Sequence, residues 1–248
     1  MKKILFSLVA LVCSMSINAQ VVKLMKGNTV VATFSASEVD NVVFEECNQV
    51  AVDLGLSVKW ASCNIGASAP EEYGDYFAWG ETIGYGQDTS DGRLFNWENY
   101  KWCSGSSNTL TKYNRYPQYG TVDNKTVLDP EDDAVRVNWG STWRMPTKEE
   151  FDELCNNCTW TWTTLNGVNG YKVASTTNDN FIFLPAAGFR MDDNLSRAGT
   201  YGVYWSTSLY GVIGTARCLA FNWDGDWDEF RMGGSERRRG NSIRAVCP

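Results

Sequence analysis

The chain of 248 residues contains no histidine at all. That absence removes Ser-His-Asp and Cys-His catalysis, histidine-ligated zinc and imidazole proton shuttles. An enzyme built from this sequence would have to use carboxylate pairs, a lysine base or cysteine chemistry. Long hydrophobic runs are also scarce. After residues 4–12 no second apolar stretch approaches the roughly 20 residues that a membrane-spanning helix needs, so no transmembrane segment is expected. Basic charge is in deficit. Without Lys2 and Lys3 the chain carries 20 Lys+Arg against 29 Asp+Glu, a net charge of −9. That balance argues against nucleic acid as a partner, because phosphate-backbone binding needs a basic footprint.

The first residues set the expected compartment. Lys2 and Lys3 form a basic start, residues 4–12 a short apolar run, and residues 16–20 supply small side chains with Ala19 before Gln20. This is the pattern of a secretory signal peptide over residues 1–19. Val12 precedes Cys13 where lipoprotein signals usually carry a small residue, which argues against lipidation. The expected location is exported: cell surface, periplasm or extracellular space. Of 8 cysteines, 7 remain after Cys13, and an odd number leaves at least one thiol unpaired within the chain. Cys155 and Cys158 form a C-x-x-C. With neither a thioredoxin-like setting nor a second ligand pair, they read as small buried residues on a helix.

What the chain does have is aromatic residues and glycine: 11 Trp, 11 Tyr, 11 Phe and 22 Gly. That mixture suits a loop-rich globular domain with an aromatic core. Residues 20–46 read as a small N-terminal β unit, with strands near Val21, Val30 and Val42 and a turn at Lys26-Gly27-Asn28. The main domain is expected over 47–248. One helix is expected from Asp129 as N-cap and Pro130 at the first helical position to Gly140. A second runs from Thr147 to about Cys158, with a Thr147/Glu150 capping box and Phe151, Leu154, Cys155 and Cys158 on its buried face. Beyond it come strands and turns. Asn166-Gly167 and Asn169-Gly170 are turn signals, Phe181 to Leu184 is an apolar strand ending at Pro185, and Ser242 to Cys247 is a terminal strand. From Ala216 onward the pattern alternates. Leu219, Phe221 and Trp223 should face one side, and Cys218, Ala220 and Asn222 the other. Asp224-Gly225 reads as a hairpin turn. The fold class is α+β.

Between Val52 and Cys247 the chain carries, in order, Asp53-Leu-Gly-Leu-Ser-Val-Lys-Trp60, Ala61-Ser-Cys-Asn-Ile-Gly66, Tyr73-Gly-Asp-Tyr-Phe-Ala-Trp-Gly-Glu81, Glu131-Asp-Asp-Ala134, Asn138-Trp-Gly-Ser-Thr-Trp-Arg-Met-Pro-Thr147, Leu184-Pro-Ala-Ala-Gly-Phe-Arg190, Tyr204-Trp-Ser206 and Ser242-Ile-Arg244. By this run of motifs the segment resembles the Fibrobacter succinogenes major paralogous domain, a family abundant in exported proteins of the Bacteroidota. The resemblance implies a C-type-lectin-like domain with two helices and short antiparallel strands, beside the N-terminal β appendage. It also implies kinship with formylglycine-generating-enzyme-like domains, but no settled activity. The frame around Trp205-Ser206, Leu219, Phe221 and Arg237 to Arg244 is similar to variable proteins diversified by retroelements, which display changeable residues on a lectin-like scaffold. By that likeness Tyr210, Val212, Arg217, Asn222, Asp224, Asp226, Asp228, Arg238 and Arg239 are ligand-face candidates. Trp227 joins them as a large rigid contact surface.

Several clusters admit two readings. Asp224, Asp226 and Asp228 have the alternate spacing of calcium loops, yet the EF-hand frame fails and no second lectin calcium motif is present, so a solvated hairpin tip is the preferred reading over a calcium site. No other cofactor is implied. Glu236-Arg-Arg-Arg239 could grip a carboxylate or phosphate, or salt-bridge to nearby acids. Trp160-Thr-Trp162 and Tyr100-Lys-Trp102 could form a sugar platform or core. Glu131, Asp132 and Asp133 could supply a carboxylate pair for glycoside hydrolysis, or simply occupy a helix's first turn. Three functions follow: an exported binder of a protein or glycan ligand, an exported enzyme (a carboxylate-based glycan hydrolase or a formylglycine-generating-like cysteine oxidase), or a structural subunit docking through residues 21–46.

Overall fold

A computed structural model describes residues 21–26, 29–35, 50–140, 142–222 and 230–248. The signal-peptide residues, the expected strand near Val42 and the segment 223–229 lie outside them. The chain divides into two compact units, 1–45 and 46–248. In the first, β1 (Val21–Lys26) and β2 (Thr29–Ser35) form an antiparallel hairpin whose register slips between Leu24 and Met25.

The second unit is α+β. Its strands are β3 (Ala51–Val52), β4 (Lys59–Asn64), β5 (Cys158–Leu165), β6 (Val168–Ser175), β7 (Phe181–Pro185), β8 (Phe189–Met191), β9 (Asn194–Ser196), β10 (Tyr201–Leu209), β11 (Thr215–Asn222), β12 (Phe230–Glu236) and β13 (Arg244–Cys247). Its helices are α1 (Ala134–Trp139) and α2 (Lys148–Asn157). The strands form small sheets ordered β13-β4-β3, β5-β6-β7 and β10-β11-β12, plus the β8-β9 hairpin. The first sheet pairs the beginning of the unit with its end, since β13 lies antiparallel to β4.

Local chemistry accounts for several of these elements. Thr147 accepts from the Glu150 amide while Glu150 reaches back to the Thr147 amide, which closes the expected capping box of α2. Asn166 (φ 48°) and Gly167 (φ 87°) both take left-handed conformations, the requirement of the tight β5–β6 hairpin turn. Two expectations need correction. Asn169-Gly170 is not a turn but part of β6. A Cβ at Gly170 would sit 2.3 Å from the Leu184 carbonyl oxygen, so this glycine serves the close approach of β7. The first helix is also shorter than expected. Pro130–Asp132 form a 3-10 turn, and the side chain that caps α1 is Asp133, not Asp129.

In the β10-β11-β12 sheet, β10 and β11 are buried on both faces. Val203, Trp205, Ala216 and Cys218 belong to one apolar cluster with Trp79 and Trp143, while Tyr204, Leu219 and Phe221 belong to another with Trp60, Phe151 and Tyr171. The alternation along β11 is therefore real, but Cys218 and Ala220 are not on a free side: both are buried.

Between β4 and α1 lies a long stretch with no extended strand, stapled to the core by aromatic side chains whose polar tips are satisfied. Tyr76 Oη donates to the Ala187 carbonyl (2.6 Å), Trp79 Nε1 to Ser206 O (2.8 Å) and Tyr100 Oη to Trp79 O (2.8 Å). From the sheet, Trp205 Nε1 donates to Phe77 O (2.7 Å). Of the two aromatic runs, Tyr100 is buried, and Trp160 and Trp162 are half-buried against the second cluster, where Trp160 stacks on Phe230 at 4.3 Å. The buried Arg190 of β8 pins the same stretch through a forked bond to Asp91, with Nη1–Oδ2 at 2.6 Å and Nη2–Oδ1 at 3.1 Å.

That pair makes the fold acid-sensitive. The Arg190 guanidinium holds the Asp91 carboxyl below its ordinary value. The stabilisation is present above the ordinary carboxylate range and is lost as pH falls through the lowered folded value. In Asp91→Asn the neutral-pH stability should drop, and the decline of stability below about pH 4 should flatten. Chemical denaturation from pH 2 to 7 checks this, and parallel wild-type and variant curves would refute it.

Candidate functional site

The ligand-face candidates separate into groups. β10 and β11 join through a short loop closed by Tyr210 N to Thr215 O (3.3 Å) and Thr215 N to Val212 O (3.2 Å), and anchored by Arg237 N to Gly214 O (2.9 Å). Val212 at its tip is 58 % exposed and Tyr210 37 %. Arg217 sits two residues into β11, with its guanidinium 5.2 Å from the Tyr210 ring centroid. The strand partner of Arg217 is Gly234 of β12. A Cβ there would lie 2.5 Å from the Tyr210 ring, so glycine lets that ring lie flat across β12.

Asn222 is at the opposite end of β11, about 20 Å away at the usual rise per strand residue, where it pairs with Tyr201. The calls at Asp224, Asp226, Trp227 and Asp228, including the calcium reading of the three aspartates, lie outside the described residues. Among the described residues no group of three His, Cys, Asp or Glu is placed to hold a metal.

The Glu236-to-Arg239 cluster takes the salt-bridging arrangement. Arg238 pairs with Glu236 (3.0 Å) and approaches Asp192 (3.9 Å), with Nη1 also on the Phe95 carbonyl (3.2 Å). Arg239 pairs with Glu236 (3.2 Å) and stacks over Phe189. It lines a separate pocket of about 400 Å³ with Tyr201, Cys218 and Arg231. Arg237 is 1 % exposed, and its Nη1 donates to the carbonyls of Lys112 and Tyr113.

Facing the hairpin is a loop that the sequence reading passed over. Asp123 accepts from the amides of Tyr113 (2.8 Å), Asn114 (3.0 Å) and Lys125 (3.1 Å). The buried Asn114 side chain bonds both the amide and the carbonyl of Tyr116. This fastening presents Arg115 and Tyr116 beside Tyr210. Together Tyr113, Arg115, Tyr116, Tyr210, Val212 and Arg237 line a shallow pocket of about 280 Å³, most of it open mouth. A wider cleft of about 690 Å³, counting its open mouth, continues on the other side past Arg115, Tyr210 and Arg217 to Lys148 and Glu149. The local signal for this loop was an arginine between two tyrosines, Tyr113-Asn-Arg-Tyr116, in an acidic chain.

Of the carboxylates and thiols weighed for catalysis, Asp132 and Asp133 are engaged within the fold. Asp132 is buried and accepts from Tyr113 Oη (2.6 Å) and Lys112 Nζ (2.6 Å), while Asp133 accepts three backbone amides. Glu131 is exposed and lies only 3.9 Å from Lys112. Burial pushes the Cys155 thiol up to about 12, Cys158 up to about 11 and Cys218 up to about 12. A reactive thiolate is shifted the other way. No helix among the described residues is long and apolar enough to cross a membrane. Comparison of the chain with models of protein families, with curated proteins and with solved structures found no match in any of the three.

Proposed function

We propose that the chain is an exported ligand-binding protein, a C-type-lectin-like domain that captures a protein or glycan through the β10–β11 hairpin and the facing 113–116 loop. One observation carries the reading. An exposed tyrosine and an exposed valine, flanked by arginines, are held on a short closed loop between two strands buried on both faces. Exposed aromatic and arginine side chains on a rigid support are what binding surfaces concentrate. The signal-like first residues support export. The order of motifs supports the lectin-like assignment.

The test is a paired measurement on the mature chain. Tyr210→Ala combined with Val212→Asp should abolish retention on an array of immobilised oligosaccharides and purified surface proteins. Thermal stability should stay within about 0.5 kcal/mol, the usual range for exposed positions. Undiminished retention by the double variant would overturn the proposal.

A further inference from the structure

The binding face has a definite electrostatic character. Among the described residues Arg115, Arg217 and Arg237 have no carboxylate partner, whereas Arg93, Arg144, Arg190, Arg238 and Arg239 each have one. All three line the two clefts around Tyr210. In a protein of net negative charge, three unpaired arginines at one place are unusual, because mobile surface acids would normally be drawn to them.

Arg237 is the most telling of the three. It lines the smaller pocket yet is almost inaccessible, so it forms the inner wall. Its Nη1 is satisfied by two carbonyls, its Nε is buried without a partner, and its guanidinium lies 5.9 Å from the centroids of Trp79 and Tyr100. The buried acid Glu81 is already engaged by Arg93 (2.7 Å) and by the Lys101 amide (2.9 Å). A desolvated cation without a counter-ion is expensive to keep. An anion entering from the pocket would relieve it.

We infer that this pocket receives the carboxylate of an acidic glycan whose sugar ring rests in the wider cleft beside it, a reading that rests on the binding face proposed above. Arg237 and Arg115 hold the carboxylate, and the exposed edges of Tyr116 and Tyr210 offer apolar contact to the sugar. Arg217 extends the positive wall along the wider cleft, beside Lys148, which is paired with Asp152. Glu149 on that wall is an acceptor for hydroxyl groups. The enclosed part of the pocket, closed by one buried arginine, has room for one small charged group and not for a ring. An extended acidic peptide would instead run its charges across the acidic remainder of the surface.

Titration calorimetry on the mature chain tests this with tetragalacturonate, its methyl ester, sialyllactose and a hepta-glutamate peptide. At least one of the two acidic sugars should bind. Esterification should weaken the galacturonate complex, if that is the one formed, by tenfold or more. Arg115→Gln and Arg217→Gln, both away from the core, should each weaken binding several-fold and reduce its salt dependence. Arg237→Gln should abolish it; should that variant fail to fold, the two exposed arginines carry the test. The inference is overturned if neither acidic sugar binds, if the ester binds as well as the acid, if Arg115→Gln binds normally, or if the glutamate peptide binds more tightly than either sugar. Retention of neutral ligands that is still lost in the Tyr210/Val212 variant would sink only the acidic specificity and leave the binding face standing. Retention unaffected by any of these changes would sink both.

Discussion

Replacing Asp133 by alanine should lower stability by about 3 kcal/mol. Its Oδ1 accepts from the amides of Val135 (2.9 Å) and Arg136 (3.2 Å), and its Oδ2 from Met145 (3.0 Å). Loss of an N-cap alone costs about 1 kcal/mol. The Met145 amide, buried and stripped of its acceptor, adds about 1–3 kcal/mol. Part of this is offset, because burial raises the Asp133 carboxyl above its ordinary value despite the amides that favour the charged form. Asparagine keeps one acceptor oxygen and should lie between alanine and wild type. The raised value also gives a sign. The folded state holds this proton more tightly than the unfolded chain does, so wild type should gain on Asp133→Asn as pH falls from neutrality into the ordinary carboxylate range. Denaturant melts of the three proteins measure this, and an alanine variant within about 0.5 kcal/mol of wild type would show that α1 is capped by other means.

Arg244→Met should be the more damaging change, by about 3–5 kcal/mol. Arg244 is fully buried in β13. Its Nε donates to Asn64 Oδ1 (2.9 Å), its Nη1 to the carbonyls of Ala61 (3.0 Å) and Ser62 (2.9 Å), and its Nη2 to Phe183 O (2.8 Å). One planar group thus ties the C-terminal strand to β4 and β7, and methionine would leave four acceptors dry. Lysine keeps the charge but concentrates its donors at one point, so it should recover only a fraction. For a unit of this size the methionine variant should melt roughly 10 °C lower. A melting temperature unchanged by Arg244→Met would mean that the guanidinium is not what holds the ends of the unit together.

The arginine pattern shows where sequence reading succeeds and where it stops. The motif containing Arg244 was visible as a motif, yet nothing in its neighbours says that the side chain reaches Phe183. Glu236-Arg-Arg-Arg239 is legible as a basic cluster, but not how its members separate: Arg238 and Arg239 meet Glu236, while Arg237 turns inward onto two backbone carbonyls. Tyr210, Val212 and Arg217 were picked out as display positions, and they do meet at one end of β11. Asn222 sits at the other end. Arg115 and Tyr116 went unnoticed, because their loop precedes the hairpin by many residues and only the packing of the unit brings the two together. The two-sided burial of β11 was hidden for a related reason. Alternation reports that side chains point in opposite directions, not what covers each side, although the run of small residues at Ala216, Cys218 and Ala220 hinted at close neighbours.

The sequence by itself determined the features whose hydrogen bonds close within a few residues: the Thr147/Glu150 box, the Asn166-Gly167 turn and the glycine that ends α1. It also determined the exclusion of histidine chemistry, since no fold can supply a missing side chain. Tertiary structure alone decided which aspartate caps α1, that both faces of β11 are covered, and which arginines have no acid beside them. Those outcomes depend on burial and charge pairing between segments far apart in the chain, and neither has a local signature.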